Sequence, residues 1–290
     1  MPFNTFMRVS LYLFVILTIS CTKVEEVIVD GNTHPIDPTI ENMIIENYVN
    51  RLYISTIGRE PTTSEFDSDY GILREYNMSQ ASREYVINGI LTQEEYYNNL
   101  FKLGSADILN GVDTAMINER VYIYQLLLTT ASDFDSIYIL NELERMIVFQ
   151  QALPALNAGT ITNTELYKRM VNNNFFDEIN MGTENFVVAM FQSFLLRYPT
   201  EAEVENSSDM VNDRNATVFF ETGNGKDDFI NIFFTSDEYY TGQTDILFNR
   251  YLFRNPTSEE SVNYSLDYLN SDDYKELQKR ILSTNEFIGL

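Results

Sequence analysis

One heptapeptide, Arg-x-Pro-Thr-x-x-Glu, occurs three times in this chain of 290 residues. It reads Arg59-Glu60-Pro61-Thr62-Thr63-Ser64-Glu65, then Arg197-Tyr198-Pro199-Thr200-Glu201-Ala202-Glu203, then Arg254-Asn255-Pro256-Thr257-Ser258-Glu259-Glu260. Four fixed positions recurring three times define a repeat. A repeat constrains the fold before any element is assigned, because each copy is one supersecondary unit that must bury its apolar face against its neighbours.

Each heptapeptide follows an apolar pattern at −7, −6, −3 and −2 from its arginine. The residues are Leu52, Tyr53, Thr56 and Ile57; Met190, Phe191, Phe194 and Leu195; and Leu247, Phe248, Tyr251 and Leu252. Spacing of i, i+1, i+4, i+5 is one stripe of a helix. The residue before a proline is pushed out of the α region, so that helix stops near the arginine. Thr-x-x-Glu then restarts a helix as a capping box, Thr62 with Glu65, Thr200 with Glu203 and Thr257 with Glu260.

A short amphipathic helix and a second hydroxyl-x-x-Glu pattern close each unit. The closing patterns are Thr92 with Glu95, Thr235 with Glu238 and Ser283 with Glu286, read as caps that open into Tyr96, Tyr239 and Phe287. The unit is therefore helix, turn, helix, short helix, capped aromatic. Length variation falls in the loop between its second and third helices, where copy two has Thr222-Gly223-Asn224-Gly225-Lys226.

Between Thr235 and Phe253 glycine interrupts the pattern only at Gly242, so the closing helix of copy two can be the opening helix of copy three. About eighty residues separate copies one and two. They read as helices near 113–131, 135–152 and 163–173, the last opened by Thr162-Asn163-Thr164-Glu165. No stretch alternates with period two for long enough to build a sheet. The predicted fold is all-α and multi-helical: three copies of a helix-turn-helix-helix unit with a helical insert between copies one and two. The predicted segments are 1–20, 21–39, repeat one 40–103, the insert 104–183, repeat two 184–243 and repeat three 244–290.

Composition excludes several chemistries. Lys and Arg number 19 against 43 Asp and Glu, a net charge of −24 that repels a polyphosphate, so nucleic acid is not an expected partner. One cysteine, one histidine and no tryptophan leave nothing for a disulfide framework, a structural zinc site or a histidine-activated nucleophile within the fold. No cofactor is expected. The acidic runs Asp133-Phe134-Asp135, Asp177-Glu178 and Asp272-Asp273 lack the spacing of a calcium loop.

Arg8 precedes the apolar run Val9 to Ile19, which ends in Ser20 and Cys21. That is the order of charged, apolar and small residues in a secretory signal, and the run is too short to span a bilayer. The single cysteine after the small residue resembles the lipobox of bacterial lipoproteins, with Thr18 where leucine is usual. This resemblance implies cleavage after residue 20 and acylation of Cys21, which would anchor the chain through its acyl chains. Thr22-Lys23-Val24-Glu25-Glu26 resembles the export tag of surface lipoproteins of the Bacteroidetes group. Residues 21–39, with Gly31, His34, Pro35 and Pro38, read as a tether. The expected location is the outer membrane or cell surface.

The pattern Tyr48-Val49-Asn50-Arg51-Leu52-Tyr53, Gly58-Arg59-Glu60-Pro61-Thr62, Ser82-Arg83-Glu84-Tyr85-Val86 and Glu95-Tyr96 resembles a helical domain of unknown function common in large bacterial surface proteins. That domain is itself similar to the phycobilisome linker domain. The resemblance covers roughly 150 residues; the insert departs from it, and Leu196 and Phe253 replace the glycine. It implies a binding or scaffolding module without an active site.

Arg59, Arg197 and Arg254 are expected to bond carbonyls at the end of the first helix or to pair with Glu95, Glu238 and Glu286. Of the adjacent pairs Tyr96-Tyr97 and Tyr239-Tyr240, one ring each is expected inward, leaving Tyr97 and Tyr240 for a contact surface. The segment 172–182 reads as an asparagine-rich loop capping a helix that begins near Thr183. The reading is a lipid-anchored envelope binding or scaffold protein, not an enzyme, with an envelope protein or glycan as partner. The alternative is a carboxylate-dependent envelope glycan hydrolase with Glu178 as the acid.

Overall fold

The computed structural model describes residues 38–289. Cys21, His34, the signal segment 1–20 and the tether up to residue 37 lie outside the described residues.

Copy one begins with α1, Pro38–Ile57, whose buried positions Ile45, Tyr48, Val49, Leu52, Tyr53 and Thr56 follow the helical period. It continues with α2, Thr63–Glu75, α3, Gln80–Leu91, and α4, Glu94–Ile108. The insert holds α5, Thr114–Leu128, α6, Asp133–Gln150, α7, Ala152–Asn157, α8, Asn163–Val171, and α9, Asn174–Ile179. Copy two is α10, Thr183–Leu195, α11, Glu201–Val211, and α12, Lys226–Thr235. One continuous helix, α13, Asp237–Leu252, closes copy two and opens copy three. Copy three continues through α14, Ser258–Ser271, α15, Tyr274–Leu282, and α16, Asn285–Ile288. The fold is all-α in architecture.

A small departure from that plan lies in the second copy. Between α11 and α12 stand β1, Ala216–Val218, and β2, Glu221–Gly223, paired antiparallel with Thr217 opposite Thr222. The turn residues Phe219 and Phe220 both have positive φ, the twist that suits a two-residue hairpin. Phe219 anchors it against Phe191 and Phe233 at 5.7 and 5.8 Å between ring centres. Strands of three residues are too short to be read by alternation.

The first helix of every unit ends on a left-handed residue: Gly58 at φ 77°, Leu196 at 54° and Phe253 at 56°. The geometry is therefore kept where the glycine is not, at the steric cost that a Cβ carries in this region.

The copies close on one another instead of lining up in chain order. Arg51 of α1 donates to the carbonyls of Phe287 and Tyr251, both at 2.6 Å, and its guanidinium lies 4.1 Å from the Phe287 ring centre. Tyr48 donates to the Leu282 carbonyl, Arg83 to Asn285 Oδ1 and Tyr96 to Gln278 Oε1. Copy one is thus fastened to copy three, and one hydrophobic core runs through all three copies and the insert.

Candidate functional site

The three arginines occupy equivalent clamps. Arg59 Nε and Nη2 donate to the two carboxylate oxygens of Glu95 at 3.0 and 2.6 Å, while Nη1 and Nη2 donate to those of Glu65 at 2.8 and 2.9 Å. Nη1 also donates to the Glu60 carbonyl at 2.9 Å. The guanidinium has five N–H donors in a fixed fork, and these acceptors use them all. Arg254 holds Glu260, Glu286 and the Asn255 carbonyl in the same way, and Arg197 holds Glu203, Glu238 and the Tyr198 carbonyl with the same donors, except that Nε and Nη2 both donate to Oε2 of Glu238. The carbonyl bonded is in each case that of the next residue, not one from the end of the first helix.

The same glutamates complete the capping boxes. Glu65, Glu203 and Glu260 each accept from the backbone N–H of Thr62, Thr200 and Thr257 at 2.7 Å, while the threonine hydroxyl accepts from the glutamate's own N–H. The arginine beside them, together with these backbone bonds, holds all three carboxyls down at about 2. Pro61, Pro199 and Pro256 stand just before the caps, where no backbone N–H is needed. Each guanidinium also lies over the ring six residues before it: Tyr53, Phe191 or Phe248, at 5.8, 4.9 and 5.3 Å.

The closing caps are one residue later than their sequence suggests. Thr92, Thr235 and Ser283 end the preceding helix, their hydroxyls donating back to the carbonyls of Gly89, Asn231 and Arg280. Ser236 and Thr284 are the caps, accepting from the N–H of Tyr239 and Phe287, and Gln93 stands in that place without a side-chain bond. Glu95, Glu238 and Glu286 therefore fall second in the helix, with the aromatic third. From there they reach the arginine instead of the cap.

Tyr240 is not a surface residue. It is 6 % exposed, its ring 4.9 Å from that of Tyr268 and 5.1 Å from that of Tyr239, which is itself buried against Phe234. Both rings are inward because α13 belongs to two units, and Phe234 of copy two and Tyr268 of copy three pack against adjacent positions on it. Tyr97 is half-buried, and its hydroxyl accepts from Lys275 Nζ at 3.2 Å.

Nor is segment 172–182 a cap for the helix after it. Asn173 is fully buried and caps α9, accepting from the N–H of Phe175 and donating to the carbonyls of Arg169 and Met170. The helix from Thr183 begins at Gly182 with no side-chain cap. Glu178 accepts from Arg120 through both oxygens, at 2.8 and 3.2 Å, on the surface.

Two further features centre on the insert. Glu142 is buried on α6, where burial pushes its carboxyl up, and it accepts from Arg145 at 3.2 Å. Near it Lys226, whose amine burial lowers, donates to Asp177 at 2.5 Å. No group of three or more potential metal ligands is found among the described residues.

The second feature is apolar. Tyr122, Ile123, Leu126 and Leu127 on α5 and Phe134, Ile137, Tyr138 and Leu140 on α6 are all exposed, Phe134 by 87 %. Large apolar side chains at these positions are turned to solvent on both helices of the α5–α6 pair. Residues 121–132 and 136–141 contain no charge in a chain of net −24. No helix among the described residues is long and apolar enough to cross a membrane. No family model, curated protein or solved structure matches this chain.

Proposed function

We propose that this chain is a lipid-anchored envelope protein that holds a partner protein at the outer membrane or cell surface. The repeats serve as a frame and the insert as the contact face. The observation that carries this reading is the exposed apolar surface of α5 and α6, which lies outside the repeats and keeps its charged residues at Glu119, Asp133, Asp135 and Glu144. Anchoring rests on Cys21, whose acyl chains supply about 0.8 kcal/mol per buried CH₂.

A photo-crosslinking residue placed at Leu126, Phe134 or Ile137 in whole cells tests the contact face, with Tyr198, exposed in the repeat frame, as the control. The reading expects one discrete adduct from all three insert positions and none from Tyr198. Adducts from Tyr198 alone, or from no position, contradict it. Cys21→Ser should leave the folded domain intact and move it from the membrane fraction to the soluble one. An unchanged membrane fraction contradicts the lipid anchor.

A further inference from the structure

The space between the second and third helices of a unit is filled differently in each copy. Counted from the heptapeptide arginine and from the closing aromatic, Asp69, Ile72 and Gly89 of copy one correspond to Ser207, Met210 and Ile232 of copy two. In copy three the same positions are Tyr264, Asp267 and Arg280. There the Arg280 guanidinium lies 4.2 Å from the Tyr264 ring centre and donates to Asp267 Oδ2 at 2.5 Å. In copy two the hairpin covers the space, with β2 so close that a Cβ on Gly223 would lie 3.0 Å from Ile232 Cδ1 and 3.1 Å from Met210 Sδ.

Copy one has neither filling. A cavity of about 460 Å³ opens there between α2 and α3, with Gly89 in its wall. A Cβ on Gly89 would meet nothing within 4 Å, and the residue has no positive φ. Glycine inside a helix costs stability, and neither backbone conformation nor close approach requires it at this position. Its effect is to leave open a groove that copy three closes with its own arginine.

The lining sets the chemistry of an occupant. Asp69 is its one charged residue among the described residues. Oδ2 accepts from the Tyr53 hydroxyl at 2.8 Å, while Oδ1 has no partner among the described residues. Burial raises this carboxyl, the sign of a carboxylate desolvated without a cation beside it. Tyr85 adds an aromatic ring at the rim, and Asn88 and Gln93 add amide oxygens. A guanidinium is planar, carries five donors and stacks on aromatic faces, so it can use all of these at once.

We propose that the copy-one groove binds an arginine side chain of a partner polypeptide, with Asp69 as its counter-ion. The occupant of the same space in copy three is itself a side chain reaching in from a backbone, which favours a polypeptide over a free guanidine. The groove shares no residue with the apolar face of α5 and α6, so the two readings fail separately.

The test is calorimetric titration of the full-length protein, in a neutral detergent, with Nα-acetyl-arginine amide. Its lysine and citrulline counterparts and free arginine are the comparisons. A probe of this size reaches a Kd on the order of 1 mM. A chain of net charge −24 attracts any cation, so Asp69→Asn, which removes one carboxylate and keeps an acceptor for Tyr53, is the decisive variant. The expected result is binding of the arginine probe, weaker binding of the lysine probe, and at least tenfold weaker binding of the citrulline probe. Asp69→Asn should weaken the arginine probe tenfold or more. Gly89→Arg supplies the side chain of copy three, so it should abolish binding and raise the melting temperature further than Gly89→Met, the control for helix propensity. If Asp69→Asn fails to fold, the Gly89 pair decides. No binding of the arginine probe at tens of millimolar, equal binding of the lysine or citrulline probe, or full affinity in the folded variants would overturn the proposal. Tighter binding of free arginine than of the blocked probe would overturn the polypeptide source.

Discussion

Arg59 and Glu95 stand 36 residues apart, yet Nε and Nη2 of the arginine meet both oxygens of the glutamate, at 3.0 and 2.6 Å. The bond joins the turn after the first helix to the first turn of the closing helix. Because Glu65 shares the same guanidinium, three segments of the unit meet at one side chain. The pairs Arg197–Glu238 and Arg254–Glu286 repeat it.

Acid should unfold the chain through the clamps. Glu65, Glu203 and Glu260 are held at about 2 in the folded protein against an ordinary value of 4.5. A carboxyl more acidic folded than unfolded contributes stability above 4.5 that is lost as pH falls towards 2. Urea midpoints measured from pH 5 down to pH 2 should fall across that window. The triple variant Glu65→Gln, Glu203→Gln, Glu260→Gln should be weaker at pH 5 and show a flatter slope below it.

Glu142 has the opposite sign. Its carboxyl is raised by burial, so its charge costs stability at neutral pH and the cost is relieved as pH falls through the raised value. Glu142→Gln keeps an acceptor for Arg145 and removes the charge. Thermal melts should show the variant more stable than the parent at pH 7 and equal to it at pH 4.

The left-handed helix ends predict a contrast between copies. Gly58→Ala places a Cβ 2.7 Å from Asn99 Oδ1 at φ 77° and should destabilise by about 1–2 kcal/mol. Leu196→Gly and Phe253→Gly relieve the same conformation at exposed positions, and each should be neutral or gain up to about 1 kcal/mol in urea unfolding.

Gly242 lets α13 cross α10 at backbone contact. A Cβ there would lie 2.1 Å from the Phe194 carbonyl oxygen and 2.9 Å from the Leu195 Cα. Overpacking costs about 1–3 kcal/mol even where side chains can yield, and backbone cannot. Gly242→Ala should therefore lower the melting temperature more than any other Gly→Ala change in the repeats.

Elements with a local signal were legible in the sequence. The boxes from Thr62, Thr200 and Thr257 and the helical stripes before them depend on residues three or four apart, and the shared helix α13 follows from the lack of a breaker. The closing caps fall one residue after the local pattern, because Thr92 and Ser283 satisfy that pattern whether the hydroxyl ends one helix or starts the next. The burial of Tyr240 has no local pattern, because the partner covering it, Tyr268, is supplied by tertiary packing. The role of Arg51 in joining copies one and three and the burial of Glu142 are spatial facts with no local pattern at all.

A double-mutant cycle on the clamp tests its structural role most directly. Urea unfolding of Arg59→Ala, Glu95→Ala and the double variant, repeated for Arg197 with Glu238 and Arg254 with Glu286, separates the pair from its surroundings. Each Arg→Ala should lose about 1–3 kcal/mol. Since the arginine side chains are about one-third exposed, solvent screening limits the coupling within each pair to on the order of 1 kcal/mol. A favourable coupling of similar size in all three copies is the predicted result; couplings within about 0.3 kcal/mol of zero in all three would contradict it.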